Sequence, residues 1–315
     1  MDEYDVVVVG GGAAGLGGAL ALVRSRRSVL VIDEGTPRNA PAEHVHNYLT
    51  RDGVPPAEIY ALGRAEVTGY GGEVRTGTVT AVTPGQDGFE VLTADGTAVR
   101  ARRLLVTTGL ADQLPEVQGL AERFGRDVLH CPYCHGWEVR DQAIGVLATG
   151  VMAIHQAMLF SQLSSDVTLF LNDGPEPTEE QWEQLAARDI SVVLGKVTAI
   201  EVADDKLSGV RLDGGRVIPC QALVVQPYAA ARAAFLEGLG LKPAEVEANG
   251  VSIGTAVPSE PGGKTAVPGV WVAGNVADPR AQVITSAAAG LAAAAAINYD
   301  LIEEETRLAV AARSS

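Results

Sequence analysis

Residues 5–35, DVVVVGGGAAGLGGALALVRSRRSVLVIDEG, open with an unbroken apolar run that stops at glycine. Such a run predicts a strand buried on both faces. Apolar positions at helical spacing follow, and a second apolar run ends on Asp33. The predicted order is strand, glycine turn, helix, strand, acid. The same alternation returns in residues 142–174, QAIGVLATGVMAIHQAMLFSQLSSDVTLFLNDG. Between and after these segments, VTPGQDGFEVLTADGTAVRARRLLV and VTAIEVADDKLSGVRLDGGRVIPCQALVV predict hairpins turning at D-G and G-G pairs. LLVTTGLADQLP, residues 104–115, predicts a strand running into a glycine turn and a crossover. Near the C-terminus, PGVWVAGNVADPRAQVITSAAAGLAAAAAINYDL predicts a strand entering Gly274-Asn275-Val276, then a long helix from about Gln282. Each half of the chain thus carries a parallel-sheet unit and a meander, the pattern of an internal duplication.

The glycines of the first turn, Gly10, Gly12 and Gly15, fall as G-x-G-x-x-G. The first permits the tight turn, the second lets backbone approach a pyrophosphate, and the third lets the helix pack close to the sheet. Asp33 stands where a carboxylate accepts hydrogen bonds from ribose hydroxyls. The fold class expected is therefore α/β, with two Rossmann-like three-layer nucleotide-binding domains. In the second copy Ala148, Gly150 and Ala153 occupy the glycine positions. The offset that separates Gly10 from Asp33 lands there on Leu171, followed by Asn172 and Asp173. The following NDGPEPTEEQWEQL holds acids and no arginine, so a 2′-phosphate would be repelled. Two readings stay open: the second nucleotide site is lost, or it binds NADH weakly through Asp173.

A length of 315 residues with 47% hydrophobic content allows two domains with cores of their own. The net charge of −15 argues against nucleic acid or an anionic membrane as partner. MDEYDVVVVG enters a strand at once, so no signal peptide is expected, and SAAAGLAAAAAINYDLI suits a packed helix rather than a membrane span. A cytoplasmic location is expected. Two of the three cysteines lie in HCPYCHGWEVRDQ, residues 130–142. No second ligand pair follows, so C-x-x-C points to redox chemistry rather than to zinc, and no metal site is expected.

The order of G-x-G-x-x-G, TTG, CPYCHG, a second nucleotide-type turn and GNV resembles the low-molecular-weight thioredoxin reductase family over essentially the whole chain. The resemblance implies an FAD domain at residues 1–115 and 241–315, interrupted by an NADPH-type domain at 116–240 that carries the C-x-x-C. It also implies a homodimer. This chain departs from the reductase pattern in three places: Ala148 and LND in the second turn, His135 after the second cysteine, and Asn275 in place of an aspartate. The dithiol followed by His-Gly-aromatic resembles instead the FAD-dependent dithiol oxidases of the gliotoxin and holomycin type, nearest to the bacterial holomycin type. That branch oxidises a small-molecule dithiol through the enzyme cysteines and flavin, with molecular oxygen as the electron acceptor.

By this resemblance Cys131 exchanges with substrate, Cys134 faces the flavin and His135 is the acid/base. His130 either shares that work or packs against its strand. FAD contacts are expected at Gly10, Gly12, Ala13, Ala14 and Gly15, at Asp33 and Glu34, and at Arg38, Asn39 and Asn47 in the segment after the acid. Further contacts are expected at Thr108 and Gly109, at Gly274 and Asn275, and at Gln282 and Val283. Tyr133 and Trp137 either wall the substrate or pack in the core. Cys220 is expected to be an inert buried thiol, and His44 and His46 stay outside the catalytic set. Besides the oxidase, the pattern admits an NAD(P)H-dependent reductase of a protein disulfide, or a flavin-bearing redox sensor that binds a partner without turnover.

Overall fold

The computed structural model of the chain describes residues 1–248 and 250–314. The first unit runs β1 (Glu3–Val9), α1 (Ala13–Arg24), β2 (Val29–Asp33), α2 (Pro56–Gly69) and β3 (Glu73–Thr76). A meander of β4 (Val79–Gly85), β5 (Gly88–Thr93) and β6 (Ala98–Val106) follows, and β7 (Leu110–Gln113) leads out. The second unit holds α3 (Leu120–Arg123), β8 (Val128–Leu129), α4 (Pro132–His135), β9 (Ile144–Leu147), α5 (Met152–Phe160) and β10 (Val167–Phe170). It continues through α6 (Glu179–Ala187), β11 (Ser191–Val193), a meander of β12 (Val197–Ala203), β13 (Lys206–Leu212) and β14 (Val217–Pro219), and then β15 (Ala222–Val225). The chain returns through β16 (Tyr228–Ala231), the hairpin of β17 (Ala244–Ala248) and β18 (Val251–Ala256), β19 (Val270–Val272) and α7 (Val283–Arg313).

Parallel strands run β3-β2-β1-β6-β19 in the first sheet and β11-β10-β9-β15-β8 in the second. The two orders correspond strand for strand, with two differences. The fifth strand of the first sheet comes last in the chain and that of the second comes first. The first meander is continuous with its parallel sheet, whereas β12-β13-β14 forms a sheet of its own. Val6–Val9 and Val146–Leu147 are buried because helices cover one face of each sheet and a β-meander covers the other.

The crossing strands β7 and β16 pair antiparallel. Beyond β16, Ala233 and Leu236 pack into the core of the first sheet with Val7 and Val82. The return to the first unit therefore comes at Pro227, which follows β15, and not at the residue 241 expected from the resemblance. The apolar segment after Pro227 needs a core, and the one within reach lies over β4. Among the described residues no helix is long and apolar enough to cross a membrane.

α1 and α7 approach backbone to backbone. A Cβ on Gly17 would lie 2.9 Å from the Ala287 carbonyl oxygen, and one on Gly18 would lie 3.0 Å from that of Gly290. A Cβ on Gly290 would fall on the Ala14 carbonyl oxygen. This seam sets the N-termini of both helices beside the glycine turn. Gly290→Ala is therefore expected to lower stability by ~1–3 kcal/mol through overpacking, read as a lower Tm in thermal unfolding. Gly69→Ala in α2, whose Cβ would have no neighbour within 4 Å, serves as the control, and a wild-type Tm for Gly290→Ala would count against the seam.

Candidate active site

β1 ends at Gly10, whose φ of +103° is unfavourable for residues with a Cβ, and an added Cβ would stand 2.6 Å from the Thr107 carbonyl oxygen. Thr107 Oγ1 donates to the Gly10 carbonyl at 2.7 Å, which ties the turn to the end of β6. Asp33 closes the turn from the other side. Its Oδ1 accepts from Gly11 N–H at 2.8 Å and its Oδ2 from Gly35 N–H at 3.2 Å, so lone pairs remain on both oxygens for a ligand hydroxyl. Above the turn, α1 starts at Gly12 and α7 at Gln282, and neither helix has a side-chain cap. Two sets of free N–H groups and two positive dipole ends thus meet in one place, which favours a diphosphate.

They open into a cleft of about 980 Å³. Gly10, Gly12, Ala13 and Ala14 line it, with Asp33, Glu34, Arg38, Asn39, Thr108 and Gly109. Gly274, Asn275, Gln282 and Val283 complete that set from the C-terminal segment. Several of these side chains also hold the cleft together. Arg38 makes a two-pronged ion pair with Asp112 at 2.6 Å, and Glu34 pairs with Arg232. Thr108 Oγ1 donates to the Arg232 carbonyl at 2.5 Å, and Tyr60 donates to Asn39 Oδ1 at 3.0 Å. The Asn275 amide donates to the Ala281 carbonyl at 2.8 Å, so Oδ1 is the atom left for a ligand.

Two expected contacts lie elsewhere. Gly15 is absent from the cleft wall because it faces Gly10: a Cβ there would overlap the Gly10 carbonyl oxygen, which makes it a packing residue. Asn47 is turned toward the second unit. Its Nδ2 donates to the Tyr133 carbonyl at 2.5 Å, while its own N–H donates to Asp52 Oδ1 at 2.8 Å. It holds the C-x-x-C helix instead of the ligand. Conversely, His44 and His46 line the cleft, and His46 stands 3.4 Å from Asp52 and 3.3 Å from Glu138. Arg232, which no motif marked, also lines it, as does Thr107 of the T-T-G turn.

Cys131 and Cys134 open onto the same cleft, with His130 and His135. Cys131 is the N-cap of α4, and Pro132 occupies its first turn. The two thiols differ because they share one hydrogen bond. The Cys134 thiol donates to Cys131, and with backbone N–H groups of Cys134 and Tyr133 this brings Cys131 down to about 7, against the opposing effect of burial. The same bond and burial push Cys134 up. In the reduced protein Cys131 is thus the more readily ionised sulfur. His135 is held below the ordinary imidazole value, chiefly by burial with Glu138 opposing, and its buried Nε2 has no hydrogen-bond partner. A neutral imidazole with a free nitrogen at the dithiol can accept a proton. Tyr133 and Trp137 are 64% and 65% exposed, so neither packs in the core, and neither lines the cleft. Arg140 stacks 4.1 Å from the Trp137 ring. Cys220 is buried, which pushes its thiol up to about 12. Among the described residues no group of three or more His, Cys, Asp or Glu is arranged for a metal ion.

The second turn is built differently. Ala148 is 2% exposed, does not have a positive φ, and its Cβ faces Gly174. Asn172 accepts from Val197 N–H at 2.9 Å, and Asp173 pairs with Lys196 at 3.2 Å. A cleft of about 350 Å³ lies at the start of α5, lined by Thr149, Gly150 and Gln226 among others, with no lysine or arginine and none of Leu171, Asn172 or Asp173.

Residues 4–294 match the family described as pyridine nucleotide-disulphide oxidoreductase. The chain is 31% identical to the thioredoxin reductase sirT of Leptosphaeria maculans, over 95% of this chain and 94% of that one. It is 43% identical to the solved structure of HlmI, with a TM-score of 0.91, covering 99% of this chain and 96% of the other. An oxidoreductase from Agrobacterium tumefaciens matches at 35% identity and a TM-score of 0.89, over 96% of this chain and 99% of its own.

Alkylation of Cys131 by iodoacetamide in the reduced protein is expected to rise with pH about a midpoint near 7, because the thiolate is the reacting form. Cys134→Ala removes the donor and should move that midpoint upward. Equal midpoints in the two proteins would show that the shared hydrogen bond does not set the asymmetry.

Proposed function

The chain belongs to the pyridine nucleotide-disulphide oxidoreductase family, whose thioredoxin reductase-like members are FAD-binding flavoproteins, and on that premise we propose that it is an FAD-dependent dithiol oxidase closing a disulfide in a small molecule. The cleft suits FAD: two uncapped helix ends for the diphosphate, Asp33 for a ribose and Asn275 Oδ1 for a further hydroxyl. The cycle starts from the Cys131–Cys134 disulfide. A substrate thiolate attacks Cys131, the S–S bond breaks, and Cys134 leaves as thiolate. The second substrate thiol gives up its proton and attacks the substrate sulfur of the mixed disulfide, releasing Cys131 and the oxidised product. His135 accepts a proton at its free Nε2. Bound FAD supplies the two-electron acceptor that returns the cysteines to the disulfide, with molecular oxygen as final oxidant and hydrogen peroxide as its product.

The observation that carries this reading is the second turn. A reductase drawing on NAD(P)H needs a glycine turn, an acid for the ribose and, for NADPH, cations for the 2′-phosphate. Here Ala148, the engaged side chains of Asn172 and Asp173, and a small cleft without a cation stand in their place. The dithiol, by contrast, opens onto the first cleft beside a neutral base. The resemblance of the C-P-Y-C-H-G segment to the gliotoxin- and holomycin-type oxidases supports a natural-product dithiol as substrate.

Anaerobic mixing decides between oxidase and reductase. A small dithiol should bleach the flavin within the turnover time and air should restore it with release of peroxide, whereas NADPH and NADH should leave it yellow. Rapid bleaching by NADPH would establish the reductase instead. Cys131→Ser and Cys134→Ser should each retain yellow FAD and lose turnover. His135→Ala should slow thiol transfer by about 10²-fold.

A further inference from the structure

A half-buried polar seam lies beside the dithiol. His130 precedes Cys131, lines the cleft, and places Nε2 2.9 Å from Gln226 Oε1. Which of the two atoms bears the hydrogen follows from the rest of the seam. Gln226 Nε2 lies 3.2 Å from the Pro227 carbonyl oxygen, which only accepts, so that end of the amide is the NH₂. Gln156 Nε2 donates to the same Gln226 Oε1 at 3.3 Å and to the His130 carbonyl at 3.5 Å. Thr149 Oγ1 donates to the Gln226 carbonyl at 3.0 Å and holds its backbone. Turning either amide over would set oxygen against oxygen. Gln226 Oε1 is therefore the acceptor, and His130 Nε2 carries the hydrogen. A neutral imidazole then has one basic nitrogen, Nδ1. The seam is costly to keep: Gln156 is 5% exposed and its Oε1 has no partner.

We propose that Gln226 is a positioning residue that holds His130 as the Nε2–H tautomer and leaves its Nδ1 as a second proton acceptor at the dithiol, beside His135. This rests on the dithiol-oxidase reading, and it accounts for a number in that chemistry. Disulfide closure strips one proton from each of two substrate thiols, and two histidines flank the cysteine pair. At His130 a substrate S–H bond breaks, its electron pair stays on sulfur as the attacking thiolate, and the proton passes to Nδ1 and on to solvent. Burial keeps His130 below the ordinary imidazole value, so the ring is neutral at neutral pH. Of the charges that face it, Arg38 acts in the same direction and Asp112 opposes, and these two are paired with each other. His135 and the cysteine thiols complete its surroundings.

The tautomer is read without turnover from nitrogen-15 spectra of histidine-labelled holoprotein, with His130→Ala identifying the signal. Wild type should show a bare Nδ1 and a protonated Nε2 at neutral pH. Gln226→Leu should give a mixture of tautomers, and Gln226→Glu, which keeps an acceptor, should restore the Nε2–H form. The rate of anaerobic flavin reduction by dithiothreitol supplies a functional arm. Gln226→Leu should slow it by on the order of 10-fold at neutral pH. In Gln226→Glu the carboxylate raises the His130 pKa, so the acid limb of the profile should move to higher pH. An Nδ1–H or cationic His130 in wild type, an unaltered spectrum in Gln226→Leu, or superposed pH profiles would overturn the proposal. Bleaching of the wild-type flavin by NADPH would defeat the oxidase reading and leave the tautomer result untouched.

Discussion

Two helices whose backbones touch bring residues from opposite ends of the chain to one cleft. α1 follows the first strand and α7 closes the chain, yet Gly17, Gly18 and Gly290 let Ala14 and Ala287 meet them with no side chain between. Each glycine inside a helix costs about 1 kcal/mol relative to alanine. The return is geometric: two uncapped N-termini lie side by side over the Gly10 turn. A single helix end attracts an anion weakly, whereas two that converge, with Asp33 at the far side for hydroxyls, define a long ligand with a charged middle.

The dithiol comes to that cleft from a different unit, so its position depends on polar contacts across the boundary. Asn47 reaches from the first unit to the Tyr133 carbonyl inside the C-x-x-C helix, and His46 stands against Glu138 just beyond it. Asp52 organises both donors by accepting from the Asn47 backbone and facing His46 Nδ1. Arg38–Asp112 and Thr108–Arg232 secure the two crossing strands. None of these contacts is large, since exposed ion pairs contribute at most about 1 kcal/mol each. Together they determine which way a short helix points, and that keeps both sulfurs at the cleft.

Backbone constraints were legible in the sequence, and side-chain partnerships across the fold were not. Gly10, Gly12 and Asp33 announce themselves because a tight turn, a close approach and a strand-end carboxylate each demand a residue type at a fixed spacing. Gly15 carried the same signal, but its demand comes from the Gly10 carbonyl and not from a ligand. Asn47 was placed by family position in the segment after Asp33, and that position says nothing about a left-handed residue whose amide turns toward Tyr133. Arg232 reaches the site only after the chain has crossed between units twice, and Gln226 only because β15 pairs beside β9 and β8. The return at Pro227 was hidden because the family pattern placed it later, although a proline after an apolar strand is a local stop signal.

The two nucleotide-type turns show what separates a fold from a site. Both sheets keep the same strand order and the same buried apolar strands, because either unit would lose its core without them. The ligand-facing details answer to a different pressure. In the first turn every polar group is either aimed at the cleft or holds a neighbour that is. In the second, Asn172 spends its side-chain oxygen on Val197 N–H, Asp173 is paired with Lys196, and Ala148 fills the space against Gly174. These side chains find partners within the second unit, where their counterparts in the first turn face the cleft. What the second unit retains at its edge is α4, with Cys131 made reactive by the hydrogen bond from Cys134.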